Sequence, residues 1–144
     1  MKDIWYQIEI EDPENLTAPI FIKLGNALSN ELKHTKLITQ YLEGSGILKI
    51  RSARTFEDWM HALEDVSQLI WADFFFFKEN PTFLPNEKMY HEVIIKETCL
   101  TIRAIDCMYI NIFTNKEEIK ELIESVFPDC SYFKDELPNL KYYE

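Results

Sequence analysis

The sequence predicts an α+β fold, a single domain in which a mostly antiparallel sheet is covered by about three helices. Three observations carry this. Short β-rich runs recur from Ile4 to Phe113, a few segments set apolar residues at helical spacing, and no repeat or low-complexity linker divides the 144 residues.

Residues 4–10 alternate, with Ile4, Tyr6, Ile8 and Ile10 against Trp5, Gln7 and Glu9, the pattern of a half-buried strand ended by the Asp12-Pro13 turn signal. A helix is expected from about 19 to 33. Ile20, Leu24, Ala27, Leu28 and Leu32 share its face, Thr17 is a possible cap, and Gly25 weakens it. Runs 36–42 and 47–51 flank Glu43-Gly44-Ser45-Gly46 and read as a hairpin. Thr55, three residues before Asp58, opens a helix over 56–70 with Phe56, Trp59, Met60, Leu63, Val66 and Ile70 on one stripe. The unbroken apolar run 71–77, with its four consecutive phenylalanines, fits a strand covered on both faces.

Asn80-Pro81 and Pro85-Asn86 bracket a loop. The β-rich runs 90–96, 98–105 and 108–113 then read as a meander. A capping box, Thr114 to Glu117, opens a last helix over 115–126 that Pro128 stops. The remainder is expected to be a tail pinned by the rings of Tyr132, Phe133, Tyr142 and Tyr143.

Chemistry is scarce. With only Gly25, Gly44 and Gly46 available, neither a dinucleotide fingerprint nor a P-loop can be written, and Gly44-Ser45-Gly46 lacks the glycine spacing of a nucleophile elbow. There is no CxxC or HExxH, and Cys99, Cys107 and Cys130 form no framework, so three reduced thiols, no disulfide, no metal and no cofactor are expected. Cys99 and Cys107 lie in apolar runs and Cys130 follows Asp129, surroundings that discourage a thiolate. The N-terminus carries acids early and no apolar run approaches a membrane span, so the cytoplasm is the expected location.

What remains is charge. A formal net charge of -10 opposes nucleic acid and anionic membranes and favours a basic protein partner. Glu57, Asp58, Glu64 and Asp65 lie on the predicted 56–70 helix with no Lys or Arg among them, although Arg51 and Arg54 could dock on Glu57. Glu117, Glu118, Glu121 and Glu124 are partly neutralised by Lys116 and Lys120. His61, four residues from both Glu57 and Asp65, joins the first set on one helical face, and Trp71 and Tyr90 are nearby aromatic anchors. The ordinary reading of such a face is solvation; the functional one is a partner-binding surface of Glu57, Asp58, His61, Glu64, Asp65 and Trp71.

The uncompensated acids Glu57, Asp58, Glu64 and Asp65, the acidic stretch 9–14 and the phenylalanine run 74–77 give the chain a character that resembles the small acidic immunity proteins of bacterial polymorphic-toxin and contact-dependent growth inhibition systems. The resemblance lies in composition, without a shared motif. It implies a non-catalytic cytoplasmic protein that binds and blocks a cognate toxin domain, often a basic nuclease. Two other functions fit the same sequence: a regulatory module binding a protein or small ligand, and a small enzyme with dispersed carboxylates.

Overall fold

Six strands form one antiparallel sheet in a computed structural model that describes residues 3–81, 85 and 91–143. In chain order the elements are β1 (Trp5–Glu11), α1 (Ala18–Ala27), α2 (Ser29–Leu32), β2 (Lys36–Gly46), α3 (Phe56–Leu63), β3 (Val66–Phe77), α4 (His91–Ile95), β4 (Leu100–Ile105), β5 (Tyr109–Thr114), α5 (Glu117–Val126) and β6 (Ser131–Asp135). The strand order is β2-β3-β4-β5-β1-β6. The α+β expectation holds, with two short helices, α2 and α4, beyond the three expected. Among the described residues no helix is long and apolar enough to cross a membrane.

Both faces of the sheet are covered. On one, Ile8, Ile10, Phe74, Phe76, Ile102 and Ile112 meet α1, α3 and α5 through Phe21, Leu24, Trp59, Leu63, Ile119 and Ile123. Trp59 stands edge-on to Phe74 and Phe76, with ring centroids 5.5 and 5.4 Å away, the arrangement aromatic quadrupoles favour. On the other, Trp5, Phe75, Phe77 and Phe113 lie under Ile94 and Ile95 of α4 and under Leu137 and Leu140. All four phenylalanines 74–77 are fully buried, as a strand covered twice requires.

Gly25, which intrinsic propensity counts against α1, is where that helix approaches α3. A side chain there would run into the Met60 sulfur and the Trp59 ring. The expected helix 19–33 is broken at Leu28 into α1 and α2.

Several sequence expectations are corrected. The segment 47–51 is not the second strand of a hairpin. β2 continues through the expected turn to Gly46, whose φ of 97° suits glycine, and a 3-10 turn, Lys49–Ser52, follows. The partner of β2 is instead β3, whose long run of β-branched and aromatic residues offers far more cross-strand contact than Ile47 to Arg51 could. For the same reason α3 stops at Leu63. Val66 and Ile70 fit helical spacing, yet Val66 to Trp71 pair with β2, and Leu69 N–H donates to Leu16 O at 3.0 Å.

The expected strand 90–96 is helix α4 from His91; Tyr90 lies outside the described residues, as does part of the loop between Asn80 and Asn86. Consecutive buried Ile94 and Ile95 suit a helical turn laid on a sheet better than an alternating strand. The Thr55 cap forms, its hydroxyl accepting from Asp58 N–H at 3.1 Å. The Thr114 capping box does not: Lys116 is the N-cap, and Thr114 Oγ1 accepts from Lys116 N–H instead. The tail is not a tail, because Ser131–Asp135 add strand β6 to β1. Beyond it Tyr142 is pinned, stacked on Phe113 with centroids 5.5 Å apart, whereas Tyr132, Phe133 and Tyr143 are exposed.

Replacing Trp59 with Ala should cost about 3–5 kcal/mol, the range for a fully buried aromatic, and Trp71→Ala, at a half-buried ring, less than half of that. Urea denaturation of both variants checks the ordering.

Candidate functional site

The predicted surface divides when placed on the fold. Glu57, Asp58, His61, Glu64 and Asp65 are all exposed, the first three on α3 and the last two in the turn that leads from it to β3. Asp65 therefore does not stack on the helix as a fourth-residue neighbour of His61. It still meets His61 and Asp58 around a shallow depression of about 300 Å³ that Lys49, Ser52, Ala53 and Ala62 complete. Glu57 and His61 approach only to 3.9 Å with both side chains largely in water, a contact worth little.

Trp71 does not belong with these acids. Its neighbour Ala72 is part of the core beneath the helices, so strand alternation turns Trp71 to the opposite face of the sheet, where it pairs across from Glu43. The apolar group beside the acids is Ile47, 59% exposed, whose N–H donates to Asp65 O at 2.9 Å. The sequence pattern places Ile47 inside a strand, which hides its exposure; β2 ends one residue earlier, at Gly46.

The charge contrast between the two acidic sets also narrows. Lys49 lines the depression among Asp58, His61 and Asp65. Arg51 and Arg54 meet the carbonyls of Leu42 and Ala53 rather than docking on Glu57. On α5, Lys120 is held against Glu124 at 3.0 Å and over the Tyr132 ring at 4.5 Å.

A second cluster lies under the C-terminal segment. Register places Gln40, Asp73, Arg103, Asn111 and Glu9 in one row across five strands, on the face carrying α4. Arg103 Nε donates to Asp73 Oδ1 at 2.8 Å, and His91 Nε2 lies 3.2 Å from Asp73 Oδ2. An ionised carboxylate only accepts, which sets the proton on that ring nitrogen. Burial alone would push the Asp73 carboxyl up; the His91 hydrogen bond and the Arg103 guanidinium outweigh it and hold the group below its usual value.

Arg103 Nη2 also donates to Tyr143 O at 3.0 Å, and the Gln7 amide grips Lys141 both ways, donating to its O at 2.7 Å and accepting from its N–H at 2.8 Å. Tyr142 inserts between them, its ring parallel to those of His91 and Phe113, its hydroxyl donating to Leu137 O at 2.6 Å. Arg103 Nη1 and Gln40 Oε1 are buried without a hydrogen-bond partner among the described residues. The chemistry of this cluster is that of a clamp: charges and amides hold a chain segment lacking a strand partner against an otherwise apolar face. Its signal in the sequence is a lone Asp in the run 71–77 and a lone Arg in the run 100–105.

Among the described residues no group of three or more His, Cys, Asp or Glu is placed to hold a metal. Cys99, Cys107 and Cys130 are free and half-buried, and burial pushes the thiols of Cys99 and Cys130 up, away from thiolate. No protein-family model, curated protein or solved structure matches the chain.

Replacing Asp73 with Ala strands the Arg103 charge in the interior and should cost about 3–5 kcal/mol. The pH dependence follows from the sign of the shift. Because the folded carboxyl titrates below its unfolded value, its contribution is complete above about pH 5 and is lost as pH falls below about 4 toward the folded value. The difference in unfolding free energy between wild type and Asp73→Ala should shrink as pH falls below about 4. Denaturant titrations across that range measure it.

Proposed function

We propose that the chain is a non-catalytic protein-binding domain that neutralises a basic protein, in the manner of the immunity proteins it resembles in composition. The observation that carries this is Ile47: a mostly exposed aliphatic residue whose backbone N–H donates to Asp65 O at 2.9 Å, tying it to the turn that carries the exposed Glu64 and Asp65. An exposed apolar residue bonded to an acidic turn suits a cationic partner, since charge accelerates encounter and a desolvated anchor retains the complex. The net charge of -10 adds long-range attraction for such a partner. Lys49 in the depression is a selecting element, because it meets a partner acid or must be displaced.

The test is binding to the protein encoded by the adjacent reading frame, with both proteins purified and rates read by biolayer interferometry. Ile47→Asp should raise the dissociation rate at least tenfold with little change in association. Joint reversal of Glu57, Asp58, Glu64 and Asp65 to Lys should slow association at least tenfold at low salt, an effect that fades when salt screens the charges. Salt-independent association, or a dissociation rate indifferent to Ile47, removes this surface from the interface.

A further inference from the structure

The two margins of the sheet differ. At the β2 margin the opening residues are already engaged: Leu37 N–H donates to Arg54 O at 2.9 Å and Lys36 bridges Thr55. Beyond them the register shifts three times between Gln40 and Gly46, and Tyr41 takes a φ of 55°. Covering and bulging are the usual defences of a sheet edge. β6 has neither. It pairs with β1 through five consecutive residues without a shift, all five of its residues are exposed, and none of its outward backbone groups is engaged among the described residues. It also carries two exposed rings, Tyr132 at 44% and Phe133 at 37%.

We propose that β6 is a self-pairing edge, through which two copies of the chain join antiparallel about a two-fold axis at Phe133 to make one continuous sheet. A closed antiparallel pair sets one residue opposite itself, and the sequence Ser131-Tyr132-Phe133-Lys134-Asp135 selects which one. Centring on Lys134 sets two ammonium groups face to face. Centring on Tyr132 sets Asp135 opposite Asp129 of the partner subunit. Centring on Phe133 opposes no like charges. The rings pair at the axis, Tyr132 faces the partner's Lys134, and Ser131 faces the partner's Asp135, so the ladder combines an aromatic pair, cation–π contacts and hydroxyl–carboxylate contacts.

Lys120 over Tyr132 and Lys141 over Phe133 already hold both rings in place, 4.5 and 4.2 Å from the ring centroids, so little side-chain freedom is lost on pairing. Against this stands the charge: each copy carries -10, so the pair repels at long range. Self-association should therefore tighten as salt rises, the opposite of binding to a basic partner.

Sedimentation of the full chain at about 10 μM to 1 mM, the range of weak dissociation constants, should show a reversible monomer–dimer equilibrium strengthened at least threefold between low and high salt. Phe133→Lys, which sets like charges at the axis, should weaken it at least tenfold. Crosslinking reads the register independently. Phe133→Cys should form a disulfide dimer under mild oxidation, because facing Cα atoms lie about 4.5–5.5 Å apart. Tyr132→Cys, two residues out of register with itself, should crosslink at least fivefold less, and wild type not at all. A chain that stays monomeric across the range at every salt overturns the proposal. So does equal crosslinking at the two positions, or β6 amides protected from exchange only when a different protein is bound.

Discussion

A strand with large apolar side chains on both faces has to be covered twice, and β3 imposes that condition on the whole fold. Phe74 and Phe76 require the helical layer, Phe75 and Phe77 require a second cover, and each buried ring is worth about 1.5–3 kcal/mol. α1, α3 and α5 meet the first demand with Trp59 wedged between the rings. The second is met with less material: five residues of α4 and the segment 137–143, which has little regular structure of its own. That economy accounts for the polar row beneath the segment. Leu137 and Leu140 supply the apolar contact, while Gln7 and Arg103 grip the backbone of Lys141 and Tyr143 at defined positions.

Much of the architecture was legible from single residues. The Thr55 cap and the run 71–77 each obey one physical rule without competition. By contrast β1, which alternation reads as half-buried, is covered on both faces, with Trp5 and Gln7 buried and Ile4 exposed before it. The misreadings have physical causes too. Val66 and Ile70 satisfy both the helical and the strand period, and only the long cross-strand register with β2 decides between them. β6 carries no apolar alternation because an edge strand exposed on both faces needs none. Gly25 looked like a weakness and is a contact, a distinction that depends on α3 lying across it.

The surface chemistry was legible only in part. Glu57, Asp58 and His61 stand in water on α3 as helical counting places them, whereas Glu64 and Asp65 are exposed in the turn beyond it, and what surrounds all five depends on tertiary placement. Lys49 arrives through a 3-10 turn, Trp71 departs to the far face, and Ile47 enters because β2 ends at Gly46. The ion pair of Asp73 and Arg103 joins residues thirty positions apart, and only the adjacency of β3 and β4 reveals it. The two proposed interaction surfaces have opposite electrostatic character: one gains from the chain's charge and the other works against it, so salt would shift the balance between self-association and partner binding.

The segment 137–143 is an integral cover of the sheet's second face, held through the buried polar row. Native-state amide hydrogen exchange measures this most directly at Lys141, whose N–H donates to Gln7 Oε1. If the cover belongs to the cooperative core, Lys141 should exchange with an opening free energy close to that of Phe75 in β3, and with the same denaturant dependence. Exchange of Lys141 at the rate of an unstructured peptide, with Phe75 still fully protected, would contradict it.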